Sequence, residues 1–286
     1  MRELSIGQID NHRKREKGVL VYPVYSRRSG GLSVGINLFP GEKRCSFDCP
    51  YCEVFPFSNN SEFFVDFMED DLRRAIASAL ERNIPVRDIC FSGNGEPTLS
   101  PDFPEALEKA GRVRASLVPN AELVLITNGS FLLEEKLFSL LACLAVSINL
   151  NIWLKLDAGT NFWYKKMNRS VLPFEKIIEK TKEFAASAPV TIQTMICAVD
   201  GEGPSKEEAD AWENLLVGLV SAGNAKGNSC IRKVQIYGKA RPAPEDPKAS
   251  ALPVTCLEER AVSLRAALAS AFSGEKNIVP PVEVYP

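Results

Sequence analysis

Apolar residues fall along the chain in short, nearly unbroken blocks, separated by longer stretches of helical periodicity. Blocks of strand length lie at Val34–Phe39, Asp88–Ser92, Leu123–Thr127, Asn151–Asp157, Val190–Cys197 and Lys233–Tyr237. Runs of this kind suit strands buried on both faces. Helix-like periodicity occupies 66–83, 102–117, 131–144, 173–187 and 205–223, with a last stretch at 256–272. Several of these carry start signals: Asp66, Pro101-Asp102, Pro173, and Pro204-Ser205 followed by Glu207 and Glu208. A capping hydroxyl and acidic first-turn residues are what an N-terminus with unsatisfied N–H groups selects.

Strands that alternate with helices predict an α/β protein with right-handed crossovers. Six such units are too few for a full eight-fold barrel, so the expected architecture is a partial (β/α)6 barrel with parallel strands. A doubly wound open sheet is the alternative. Both place a functional site at the C-terminal ends of the strands. The expected organisation is an N-terminal extension over 1–30, the barrel over 31–240, and a C-terminal loop, helix and tail over 241–286. The proline-rich segment Arg241–Pro247 reads as loop.

Leu137–Leu154 carries no charge between Lys136 and Lys155, which meets the length of a membrane span. Its pattern points instead to a buried helix end followed by a strand. Ser147–Ile152 alternates with period two, and Asn149 and Asn151 would be costly in lipid. No membrane association is expected.

At 286 residues, 45% hydrophobic and 24% charged, the chain has ordinary globular composition. That excludes disordered, collagenous and coiled-coil classes. The formal net charge of −2 provides no overall basic field. Arg13, Lys14, Arg15 and Lys17, then Arg27 and Arg28, offer local phosphate contacts, but the near-neutral balance counts against RNA as the partner. The N-terminal residues lack the apolar core of a secretory signal, so a cytoplasmic, reducing compartment is expected. In that setting, thiols clustered in sequence read as metal or redox ligands before disulfides.

Of the eight cysteines, three form Cys45-x3-Cys49-x2-Cys52. Cys90, Cys143, Cys197, Cys230 and Cys256 are scattered. A zinc knuckle wants four ligands, and the only histidine is His12, far from this loop. An electron-transfer cluster wants four thiolates, one per iron. A 4Fe-4S cluster on three cysteines leaves one iron open, as catalytic metal sites do. The spacing alone leaves the last two readings standing.

With Tyr51 directly before the last cysteine, this motif resembles that of the radical S-adenosylmethionine (SAM) superfamily. The flanking stretch Ser26–Gly41 and the run Cys49-Pro-Tyr-Cys-Glu53 resemble its tRNA wyosine-synthase-like branch. The wyosine synthases themselves would require further cysteines ahead of the motif, for a second cluster. Residues 1–44 have none, so wyosine-base synthesis is not carried over. The resemblance implies a partial barrel of radical SAM type. It also implies a 4Fe-4S cluster on Cys45, Cys49 and Cys52, with SAM chelating the fourth iron through its amino and carboxylate groups.

Further stretches at strand ends support the resemblance. Gly93-Asn94-Gly95-Glu96 is similar to the superfamily's GGE element. Its glycines permit close backbone approach, and Glu96 offers an acceptor for the SAM amine. Thr127-Asn128-Gly129 is similar to its TNG element and offers polar groups for a ribose or carboxylate. Lys155 and Asp157 share a strand face; the resemblance implies that Lys155 meets the SAM carboxylate and Asp157 the ribose hydroxyls or substrate. A buried Lys155–Asp157 ion pair is the plainer alternative. Gln193 and Met195 share a face on the fifth strand, as cofactor lining or as satisfied core residues. Gln235–Arg241 ends the sixth, where the family's substrate side begins. Cys197 is either a hydrogen donor or a buried structural thiol.

The implied reaction is one-electron cleavage of SAM to methionine and a 5′-deoxyadenosyl radical, which abstracts hydrogen from a substrate the sequence does not name. Such chemistry needs few acid–base residues, in keeping with a single histidine. A low-potential reductant, flavodoxin or ferredoxin, is the implied partner. The competing reading is a non-catalytic iron–sulfur electron carrier or sensor, and tRNA base modification is the alternative substrate class, with nucleic acid a partner that is not favoured.

Overall fold

The computed structural model describes residues 18–225, 231–274 and 278–286. His12, the basic run Arg13–Lys17 and Cys230 lie outside the described residues. The chain forms two compact units.

The first unit comprises Met1–Cys45, Glu53–Thr127 and Ile148–Asn151. It holds strands β1 (Val21–Ser26), β2 (Gly31–Ile36), β3 (Val86–Phe91) and β4 (Glu122–Thr127), with helices α1 (Val65–Glu81) and α2 (Phe103–Leu117). β2, β3 and β4 are parallel neighbours, and β1 runs antiparallel along β2. Val34, Ile36, Ile89, Leu123 and Leu125 form the floor of the core, under Met68, Leu72 and Ile76 of α1 and Phe103 and Leu107 of α2. Phe103 meets Phe91 edge to face at 5.6 Å, the arrangement aromatic quadrupoles prefer.

The second unit comprises Ser46–Cys52, Asn128–Ser147 and Ile152–Pro286. It holds most of β5 (Leu150–Lys155), then β6 (Val190–Val199), β7 (Ile231–Gly238), β8 (Ala249–Ala251) and β9 (Val282–Tyr285). Its helices are α3 (Glu135–Ser147), α4 (Asn161–Met167), α5 (Phe174–Ala185), α6 (Lys206–Asn224) and α7 (Val254–Ala271). β5, β6, β7 and β9 are parallel in that order, and β8 pairs antiparallel with β6. Every position of β6 is buried, which explains its unbroken apolar run. Ser205 caps α6 by accepting from Glu208 N–H, as its sequence signals.

Some expectations shift. The first predicted strand, Val34–Phe39, lies at Gly31–Ile36. Residues 37–39 leave the ladder because the Asn37 side chain binds the loop around it: its Oδ1 accepts from Phe39 N–H at 3.2 Å. The alternation over Ser147–Ile152 is only half strand. Ser147 ends α3, Asn149 adopts a left-handed conformation (φ 55°), and the strand starts at Leu150. The stretch 131–144 divides into a 3-10 turn, Ser130–Leu133, and α3. The sheet is not wholly parallel, since β1 and β8 run antiparallel. Among the described residues, no helix is long and apolar enough to cross a membrane.

Candidate functional site

In the first unit, the segment leading to Cys45 is bound to the Gly93–Glu96 turn that follows β3. Arg44 N–H donates to the Asn94 carbonyl at 3.0 Å, and Glu96 N–H donates to the Arg44 carbonyl at 2.8 Å. Gly95 is required here, because a Cβ would stand 1.6 Å from the Arg44 carbonyl oxygen. Asn37 closes the other side. Its Oδ1 accepts from Asn94 N–H at 3.1 Å, and Asn94 Nδ2 donates to the Phe39 carbonyl at 3.1 Å. Asn37 and the Arg44 main chain were not among the sequence candidates, since no motif marks them.

Glu96 is buried and caps the 3-10 turn Pro97–Leu99. Its Oε1 accepts from Thr98 N–H at 3.2 Å, Thr98 Oγ1 at 2.7 Å and Thr127 Oγ1 at 2.8 Å. The structure thus brings two sequence candidates, Glu96 and Thr127, into one hydrogen-bonded group at the C-terminal ends of β3 and β4.

In the second unit, the loop Ser46–Cys52 sits on the C-terminal end of β5 and on the turn after α4. Phe47 packs edge-on against Tyr164 at 5.7 Å. Asn128 Nδ2 donates to Ser46 Oγ at 3.0 Å, while its Oδ1 accepts from Ser130 N–H. The Tyr51 ring is buried and its hydroxyl donates to Asp157 Oδ2.

Asp157 is the hub. Its side chain is fully buried, and it accepts from Asn168 Nδ2 at 2.8 Å and from Met195 N–H at 2.8 Å. Lys155 Nζ lies 3.4 Å from Asp157 Oδ2 and donates to Tyr237 Oη at 2.5 Å. It also stands 4.8 Å from the Tyr51 ring centroid and 5.2 Å from that of Tyr237. The two residues therefore do form an ion pair, set in an aromatic cage that favours a cation. Burial acts against the Lys155 ammonium, but Asp157, Tyr237 and Cys49 together outweigh it and the pKa rises. The Tyr51 phenol is pushed up by burial and by the neighbouring carboxylate.

Cys49 belongs to this group. Its Sγ accepts from Asn168 Nδ2 at 3.5 Å. Burial pushes its thiol up to about 12, against the pull of the Lys155 charge. Cys45 is exposed and Cys52 partly so. Among the described residues, no three His, Cys, Asp or Glu side chains converge where a single ion would sit. Asn168 and the contact role of Tyr237 escaped the sequence reading, for neither lies near the cysteines in sequence.

Gln193 lies deeper on the same face. It is fully buried, and its Nε2 donates to Gln235 Oε1 at 2.7 Å across the β6–β7 ladder. Cys197 is buried with its thiol pushed up to about 12 by desolvation, and it touches Met167 Sδ at 3.8 Å. It has the surroundings of a structural thiol.

The radical SAM superfamily profile matches residues 42–211. Curated relatives include a UPF0026 protein of Helicobacter pylori. It is 27% identical over 173 residues, 58% of this chain and 54% of its own. A UPF0026 protein of Synechocystis sp. is 28% identical over 181 residues, 61% of this chain and 63% of its own. The chain spans about half the length of the Helicobacter relatives. Among solved structures, a radical SAM methyltransferase from Sphaerobacter thermophilus aligns over 93% of this chain and 69% of its own, with TM-score 0.62 and 16% identity. The structure of anSMEcpe with bound AdoMet and a Cp18Cys peptide aligns over 85% and 61%, with TM-score 0.53 and 17% identity. The likeness shows the fold: α/β with a mostly parallel, curled half-barrel sheet, the partial barrel that the strand–helix alternation predicts.

Proposed function

This chain belongs to the radical SAM superfamily, and from that premise we propose that it is an enzyme that cleaves SAM on a 4Fe-4S cluster held by Cys45, Cys49 and Cys52. The observation that carries the reading is the Cys45-x3-Cys49-x2-Cys52 loop inside the matched region.

The donor set fits the group. A cluster of this type takes each thiolate on a separate iron, so the sulfurs need not converge on one point. The exposed Cys45 and partly exposed Cys49 and Cys52 are open to loading. The Lys155 ammonium favours the thiolate at Cys49. When bound, the cluster supplies one electron to the SAM sulfonium, releasing methionine and a 5′-deoxyadenosyl radical that takes hydrogen from the substrate.

The chain's own residues bind, orient and exclude water. In this reading Gly93, Asn94 and Gly95 present backbone to SAM, and the Glu96 carboxylate accepts from its amine. Thr127 and Asn128 offer polar atoms to the ribose or carboxylate. Lys155 is held charged for a carboxylate, and Asp157 orients it while fixing Tyr51. Gln193 forms the polar floor. The electron comes from a low-potential flavodoxin or ferredoxin, and the setting is a reducing cytoplasm, in keeping with seven described cysteines that form no disulfide among themselves. The substrate class is left open.

The test is anaerobic. Reconstituted protein is reduced with dithionite, given SAM, and assayed for 5′-deoxyadenosine by chromatography and mass. The product is expected, and it is expected to vanish in Cys45→Ala. Protein that holds about four irons, forms no product and shows no spectral response to SAM is an electron carrier, and the proposal fails.

A further inference from the structure

We infer that Asn168 is a positioning residue that holds Cys49 through an amide N–H···S bond and thereby raises the reduction potential of the cluster. The inference rests on the reading of the cysteine loop given above.

The backbone places Asn168 firmly. Its N–H donates to the Tyr164 carbonyl at 2.8 Å, ending α4, and its carbonyl accepts from Asp48 N–H at 3.0 Å. The residue is 1% exposed, so water does not compete for its side chain. The orientation of the amide is decided by chemistry. Asp157 Oδ2 lies 2.8 Å from Nδ2, and a carboxylate only accepts, so the NH2 end must face it. The same NH2 group then faces Cys49 Sγ at 3.5 Å and Tyr51 Oη at 3.4 Å.

Two hydrogens meet three acceptors. The first is held by the charged and nearest one, Asp157. The second is contested between Tyr51 Oη and Cys49 Sγ. The Tyr51 hydroxyl already gives its hydrogen to Asp157 and remains a neutral acceptor. Iron coordination strips the thiol proton and leaves charge on sulfur. A charge-assisted bond is about twice as strong as a neutral one, so the second hydrogen goes to Sγ in the loaded protein. Among the described residues, Cys49 has two hydrogen-bonding side-chain neighbours, the Tyr51 hydroxyl and the Asn168 amide, and of these only the amide has a hydrogen left to give.

Reduction adds one negative charge to the cluster and its thiolates. A fixed donor on one sulfur favours the reduced form, and hydrogen bonds to sulfur are one of the means by which proteins set cluster potentials. Asp157 thus acts on Cys49 through Asn168: it fixes the amide whose other hydrogen the sulfur uses. An alanine keeps the main-chain ties to Tyr164 and Asp48 and removes the side-chain bonds to Asp157 and Cys49 together.

The experiment compares wild type with Asn168→Ala, both full-length and anaerobically reconstituted. Iron per chain is measured, and the potential is titrated by EPR. The expected result is unchanged iron with a reduced-to-oxidised ratio that falls about tenfold at the wild-type midpoint, equivalent to ~59 mV for one electron. A full cluster with an unmoved potential overturns the inference. Should the alanine variant lose its cluster, wild-type protein labelled with 15N only in asparagine side-chain amides decides. A 15N coupling to the reduced cluster in pulsed EPR supports the bond, and its absence overturns it. A wild type that binds no cluster, or a Cys49→Ala variant that binds one equally well, defeats the reading of the loop itself and is seen before any potential is measured.

Discussion

The Arg44 carbonyl oxygen occupies the space where a side chain at Gly95 would begin, 1.6 Å from an ideal Cβ. This contact joins the turn after β3 to the residue that precedes Cys45. Gly95→Ala must push the two main chains apart and break both hydrogen bonds between them. Overpacking against rigid backbone costs about 3 kcal/mol or more, and the loss should also reduce iron loading. Gly30, with open space around it and φ 68°, is the control: alanine there meets only backbone strain, about 1 kcal/mol. Urea unfolding of the metal-free variants, with iron counts after reconstitution, checks both. A Gly95→Ala protein with wild-type stability and iron refutes the argument.

Lys155→Met leaves the Asp157 carboxylate buried without its cation. The Lys155 side chain is 15% exposed and that of Asp157 0%, so solvent screening is modest, and breaking such a pair costs about 3–5 kcal/mol. The pH dependence has a definite sign. The Lys155 pKa rises above 10.5 on folding, so its stabilisation is complete below 10.5 and is lost as pH climbs past it. Wild-type stability should therefore fall more steeply above that pH than that of the methionine variant, which keeps only the loss from the other raised groups such as Cys49. Parallel curves in thermal melts would contradict the assignment.

Glu96 separates folding from binding. One of its oxygens accepts three hydrogen bonds, so Glu96→Ala strands buried donors at a cost of about 2–3 kcal/mol. Glu96→Gln keeps a carbonyl acceptor and should cost under ~1 kcal/mol, yet it removes the charge that the proposed function assigns to the SAM amine. The glutamine variant is expected to fold and load iron normally and to bind SAM about tenfold more weakly, ~1.4 kcal/mol. Equal SAM affinity in equilibrium dialysis would take Glu96 out of the site.

The parts of this structure that are legible in the sequence are those whose physics is local. Buried parallel strands announce themselves as apolar runs, and β3 to β7 do. β1 was hidden by Pro23, which reads as a strand breaker but sits on an edge, where a missing N–H is tolerated. β8 has three residues and β9 four, too few to show a period. The cysteine loop was legible because its spacing is contained within eight residues. Asn168 was not, because only packing brings it to Cys49 and Asp157. The Lys155–Asp157 pairing was visible as an alternative, since residues two apart on a strand share a face.

Cys49 offers a test that needs no cluster. Alkylating agents attack the thiolate. A thiol held near 12 by burial has a thiolate fraction of about 10⁻⁴ at pH 8, against roughly a tenth for one at the ordinary value of 9.0. In metal-free protein, the exposed Cys45 should be modified by iodoacetamide at pH 8 while Cys49 stays largely intact. The Cys49 rate should rise about tenfold per pH unit. Its raised pKa also means that its stabilisation is full below the ordinary value of 9.0 and fades as pH approaches 12. Lys155 opposes the shift, so Lys155→Met should slow Cys49 alkylation further, provided the variant is assayed where it is folded. Peptide mass mapping over time reads each cysteine separately. Faster labelling of Cys49 in Lys155→Met would show that the sulfur does not sense that charge. The same proton must leave when iron binds, so cluster loading should become easier as pH rises.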